Sequence, residues 1–211
     1  MTSTPPGRAP VTVPRLEASF ARTGTARDHV SVVLASGRSL EWSWPTRGDD
    51  LPHDLAHLAV ESAFRLTCGF WGLLASGVDL ATVNRAAEHA APAAGSGLDR
   101  VTLGHLLQAE ALVNVLAPAW NAPKVDDQKA TGLVLGACAR LHLPCPEHTD
   151  VATVGRARYL IRCFEQRWRA IDGSGQFTVA FPLPEPEPEA QAVATPRPER
   201  AAAPRATHAH I

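Results

Sequence analysis

Two histidines, His53 and His57, stand four residues apart in "DDLPHDLAHLAVESAF" (49–64), with Asp54 beside the first and Glu61 four beyond the second. On a helix, imidazoles one turn apart can converge on a single divalent metal, zinc above all. A carboxylate set between them can then act as general base toward a bound water. The candidate ligands are therefore His53, His57 and Glu61, and the candidate catalytic group is Asp54. The reaction class this implies is metal-dependent hydrolysis.

The segment follows the H-E-x-x-H pattern of zinc metallopeptidases with Asp in place of Glu. Aspartate is shorter by one methylene, which limits its reach to the water. Glu61 is limited differently. It lies eight residues from His53, about 12 Å along a helix axis, and zinc bonds near 2 Å barely span that. A third ligand from another element fits better, and His105, Glu110 and His89 are candidates by residue type. The competing reading is structural: Asp54 complements the helix N-terminus, His53 bonds near the cap, and His57 pairs with Glu61 at i and i+4. Polar clusters of this kind are often structural, and the alternative reading of the chain is a non-catalytic interaction or regulatory module.

Other chemistry is sparse. "CARLHLPC" gathers Cys138, His142 and Cys145, but the spacing matches no standard zinc pattern and Pro144 breaks the helix. Cys68 lies among apolar residues with no group to activate it. No phosphate-binding glycine loop and no nucleophile elbow is present. Arginines 156, 158, 162, 167 and 169 crowd one late helix and read as a basic face pairing with local acids.

Basic and acidic residues nearly cancel at 20 against 21, and no basic patch with interleaved aromatics occurs, so no nucleic-acid partner is expected. No apolar run approaches a bilayer span and the first residues carry no signal-peptide pattern. The expectation is a soluble cytoplasmic protein with no membrane partner. Residues 1–14 and 182–211 are rich in Pro and small residues and are expected to be disordered. The second of these segments, "PLPEPEPEAQAVATPRPERAAAPRATHAHI", is a possible docking segment for a protein partner; His208 and His210 in it lack a preorganised geometry.

The elements that must position the histidines are read from period and punctuation. "HVSVVL" and "SLEWSW" alternate around the turn "ASGR", giving a hairpin whose one face carries Val30, Val32, Leu34, Leu40, Trp42 and Trp44. Residues 15–21 suit a further strand, and "GSGQFTVAFP" aligns Phe177, Val179 and Phe181 for a late strand returning to the same sheet. Between them the 3.6-residue period persists over about 125 residues. It divides into five to six helices: 51–66 with Asp49 or Asp50 as cap, a short apolar one near 69–76, one capped by Asp79, one capped by Thr102 and stopped by Pro118, one over 125–143, and one capped by Thr149 or Asp150. In the first helix, Leu51, Leu55, Leu58, Ser62 and Leu66 form the core stripe. His53, His57, Glu61 and Phe64 lie on a mixed, partly covered face. The fold class is α+β: one domain over 15–181, with a small antiparallel sheet of N-terminal hairpin plus late strand, covered by helices.

The hairpin, "LPHDLAHLAVESAFRLTCGFWGLLASG" and "FEQRWRAIDGSGQFTVAFP" together resemble a family of small proteins from high-GC bacteria. These carry a Leu-Pro-His-Asp-Leu-x-His segment, an aromatic stretch between glycines, and a closing Arg-Trp, glycine turn and strand. The resemblance spans residues 28–182 and implies the same architecture and added weight on His53, Asp54, His57 and Glu61; it implies no reaction.

Overall fold

The computed structural model describes residues 15–45, 48–88, 97–119 and 125–183. Of the two terminal segments expected to be disordered, residues 1–14 and 184–211 lie outside these residues, as does His89. Pro182 and Leu183 are a correction, since Leu183 packs on the core and its N–H donates to Ser62 Oγ at 3.2 Å. Alternation builds the sheet. Strands β1 (Leu16–Thr23), β2 (Arg27–Leu34), β3 (Ser39–Pro45) and β4 (Ser174–Phe181) pair antiparallel in the order β3-β2-β1-β4. The late strand thus closes on the first, with Leu16 opposite Phe181, Ala18 opposite Val179 and Phe20 opposite Phe177. One face carries Leu16, Ala18, Phe20, Val30, Val32, Leu34, Val179 and Phe181, all buried. The other carries polar groups such as Ser19 and Thr178, whose hydroxyls meet at 2.7 Å. A one-sided sheet of this kind needs a helical cover.

Among the described residues six helices supply it: α1 (His53–Phe64), α2 (Phe70–Ala75), α3 (Leu80–Glu88), α4 (Arg100–Ala119), α5 (Asp127–Arg140) and α6 (Val151–Arg169). The architecture is the α+β one expected. Three local readings are corrected. Helix α1 starts at His53 after Pro52, with no side-chain cap, rather than under Asp49 or Asp50. Asp49 is instead bound by Arg22 at 2.9 Å. Helix α4 is capped by Asp99, which accepts from Val101 and Thr102 N–H, and Pro118 is carried in its last turn. Asp79 and Asp150 cap as expected, accepting from Thr82 and Thr153 N–H at 2.9 and 2.7 Å.

Helix α1 is the hub, packed against α2, α4 and α6. From Leu55 to Phe64 every residue is buried, including His57 and Glu61, so no mixed, partly covered face remains over that span. Sheet and helices are locked by aromatics: Phe20 meets Trp71 of α2 edge-on and stacks on Phe177, each at 6.0 Å between ring centres. Among the described residues no helix is long and apolar enough to cross a membrane.

Phe20 is fully buried at the centre of this contact, so Phe20→Ala is expected to cost about 3–5 kcal/mol. Urea unfolding checks it: the midpoint should fall while the slope is retained.

Candidate metal centre

Three donors converge between α1 and α4. Nε2 of His53 and Nε2 of His57 lie 3.2 Å apart. Glu110 Oε2 is 3.6 Å from the first and 3.3 Å from the second. Donor atoms around a tetrahedral zinc with bonds of 2.0–2.1 Å sit about 3.3 Å from one another. The three atoms therefore form one face of such a shell, and the group could hold a metal ion.

Glu61 is placed elsewhere. Its Oε1 lies 3.0 Å from His57 Nδ1, on the opposite side of the ring from the cluster. Its Oε2 accepts from the backbone N–H groups of Trp71 and Gly72 at 3.0 and 3.3 Å, where α2 begins. Glu61 is thus not brought into the convergent group. It holds the ring that is, and a carboxylate behind a metal-binding histidine fixes its tautomer and raises its basicity. The position it was expected to fill is taken by Glu110, the long-range candidate, because the eight-residue span from His53 is too great.

Electrostatics favours a cation at this point. His57 Nδ1 faces the Glu61 carboxylate and Nε2 faces the Glu110 carboxylate and His53 Nε2. Without a metal, a proton on the imidazole supplies the positive charge between these groups; with one on Nε2, Glu61 would keep the remaining ring hydrogen at Nδ1. Burial opposes charge on His57, but hydrogen bonds to Glu110 and Glu61 and their negative charge outweigh it and lift the imidazole to about 10. Burial also raises Glu110, and here the bonds and charge of His53 and His57 prevail, holding it at about 2. For Glu61, burial dominates and its carboxyl is raised despite His57 and the two N–H donors.

The two histidines differ in access. His57 is 1% exposed, whereas the His53 side chain is 54% exposed. His53 and Asp54 open onto a cleft of about 610 Å³ that Trp44, Pro45, Leu51 and Pro52 help to line. Asp54 Oδ2 accepts from Trp42 Nε1 at 2.9 Å, and Trp71 Nε1 donates to the Asp54 backbone carbonyl at 2.8 Å. Burial raises the Asp54 carboxyl chiefly, against the Trp42 bond and the nearby histidines. Asp54 is thus beside the cluster, tied to the aromatic hairpin.

His105 lies on another surface, lining a groove with Cys68, Cys145 and His148. Cys138, His142 and Cys145 form no ligand group among the described residues. Burial, with the neighbouring Cys145, pushes the Cys138 thiol up to about 12, which suits an inert core sulfur. In the basic helix, Arg158 is buried and pairs with Asp127.

Comparison with family models, with curated proteins and with solved structures gave no match. The reading of the site rests on its geometry.

Two glycines in "CGFWG" make that geometry possible. A Cβ at Gly69 would lie 2.4 Å from the Glu61 carboxyl carbon, and one at Gly72 would lie 2.4 Å from the Thr67 carbonyl oxygen. The carboxylate is enclosed and cannot give way. Gly69→Ala is therefore expected to destabilise the fold by about 1–3 kcal/mol through overpacking. Chemical denaturation alongside Gly77→Ala, at a left-handed glycine with open space around it, separates steric conflict at Glu61 from backbone strain.

Proposed function

We propose that His53, His57 and Glu110 bind a divalent metal ion, zinc by donor chemistry, and that the chain is a metal-dependent hydrolase. The convergence of three donors 3.2–3.6 Å apart carries this reading. Two imidazoles and one carboxylate suit zinc among the common divalent ions, and three protein ligands leave a fourth position for water or substrate, as in catalytic sites. His53, the exposed member of the three, also lines the cleft.

A bound divalent ion would acidify a water and polarise an acyl or phosphoryl oxygen. The chain's own residues supply the rest. Glu61 fixes the His57 ring, and Asp54, raised above the ordinary carboxylate range beside the cleft, serves as the proton carrier. Hydrolysis then needs only water as co-reactant. Its oxygen bonds to the acyl carbon or phosphorus, the bond to the leaving group breaks, and the proton passes by way of Asp54 to that group.

The enclosure of His57 between Glu61 and Glu110 favours a second reading. A proton held there would join a cationic His57 to both carboxylates, a brace between α1, α2 and α4 within a non-catalytic module.

Elemental analysis of protein purified without a histidine tag decides between them. Zinc at about one equivalent per chain, lost in His53→Ala, His57→Ala and Glu110→Gln, is expected. Metal-free, fully folded protein that takes up no zinc on titration would leave the brace. Glu61→Gln should weaken zinc binding about 10–100-fold, the usual loss when the partner behind a ligand is changed. Asp54→Asn should leave zinc content unchanged, as calorimetric titration would show.

A further inference from the structure

The strongest feature outside the donor cluster is a buried carboxylate on the wrong face of the sheet. Strand β2 alternates, and Asp28 shares its helix-facing side with Val30, Val32 and Leu34. Asp28 is 3% exposed. Among the described residues none bonds to its carboxylate, and it faces the cleft that His53 and Asp54 also line. Its oxygens are not among the sealed, unpartnered polar atoms, so the little of the side chain that is open looks into the cleft. A position that the strand pattern assigns to a hydrophobe is held by a carboxylate presented to that cleft.

The rest of the wall points the same way. Asp50 and Glu165 line the cleft with Asp28 and Asp54, and among the described lining residues there is no Lys or Arg. Glu165 is engaged by Arg169 at 2.7 Å from outside, and Arg22 is engaged by Asp49, so neither guanidinium serves Asp28. Trp44, opposite Asp28 in the β2–β3 register, adds an indole to the lining. Carboxylate and indole together recognise an ammonium or guanidinium group through charge and the ring's negative face. A second metal ion fits less well, since the described residues gather only one group of three ligand atoms, His53, His57 and Glu110.

We propose that this cleft is a subsite for an organic cation, so that the substrate carries an amine or guanidinium anchored at Asp28 and Trp44, with its scissile bond toward His53. The substrate assignment rests on the hydrolase reading; the cation subsite itself does not.

The test uses the full chain with n-butylammonium and n-butylguanidinium as probes, and 1-pentanol as the neutral control. Binding is followed by the Trp44 indole N–H resonance, with Trp168 as internal reference. Titrations are run on chelator-stripped and on zinc-supplemented protein. Saturable shifts by both cations, absent with 1-pentanol and weakened at least tenfold in Asp28→Asn, are expected. Asp28→Asn should leave the Trp168 resonance in place, which separates a lost contact from a disturbed fold. Equal binding of 1-pentanol, or cation binding unchanged in Asp28→Asn, overturns the subsite. So does a magnesium titration that reproduces the Trp44 shifts at lower concentration. Cation binding to stripped protein that takes up no zinc would retain the subsite and remove the hydrolase reading. Zinc uptake without cation preference would do the reverse.

Discussion

The contact between Glu61 and His57, 3.0 Å long and wholly enclosed, is what the remainder of the molecule is arranged around. A carboxylate at 0% exposure is tolerable only when every lone pair is answered. Here one oxygen is answered by the imidazole and the other by two backbone N–H groups at the start of α2. Those N–H groups are free because the first turn of any helix leaves them without partners. Helix α2 is therefore docked onto α1 by hydrogen bonds as well as by packing, and Gly69 and Gly72 let the backbones approach. Trp71, fixed in the same turn, reaches one way to the Asp54 carbonyl and the other way to Phe20 of the sheet. Site and core share one set of contacts.

That sharing bears on the chemistry. A metal-binding or acid–base centre is effective when its groups are held in place beforehand, so that no reorganisation accompanies binding. His57 meets this condition from both sides, with its Nδ1 side on Glu61 and its Nε2 side toward Glu110. Asp54 is held by an indole from the hairpin, so the sheet too takes part in setting the centre. Four elements far apart in sequence, β3, α1, α2 and α4, thus contribute to one small volume.

Much of this was legible before the structure. The alternating strands, the late return of Phe177 to Phe181 and the six helical segments follow from local periodicity, which reports which face is buried. The pairing of the two histidines followed from i, i+4 geometry on a single helix. What escaped was long-range. Glu110 carried a signal, an isolated acid on the Leu103, Leu106 and Val113 stripe of α4, where a charge requires a partner. Spacing along one helix drew attention to Glu61 instead, and only the packing of α4 on α1 shows which carboxylate faces which nitrogen of His57. The caps of α1 and α4 shifted for a local reason: Pro52 starts a helix unaided, and Asp99, with Thr102 as its partner, outcompetes the threonine. Asp28 gives no such signal, because one acid at the start of an alternating run looks like a strand terminus.

The unequal exposure of the two imidazoles has a bearing on ion choice. His57 is clamped within the interior, while His53 stands on the first helical residue with half of its side chain in solvent. An ion held there, as proposed, would have one jaw fixed and the other exposed. A slightly larger ion would then be accommodated by rotating the outer ring, without disturbing the interior. Size alone would give such a seat little discrimination, and selection would fall to the affinity of nitrogen and oxygen donors and to whichever ion the surroundings supply.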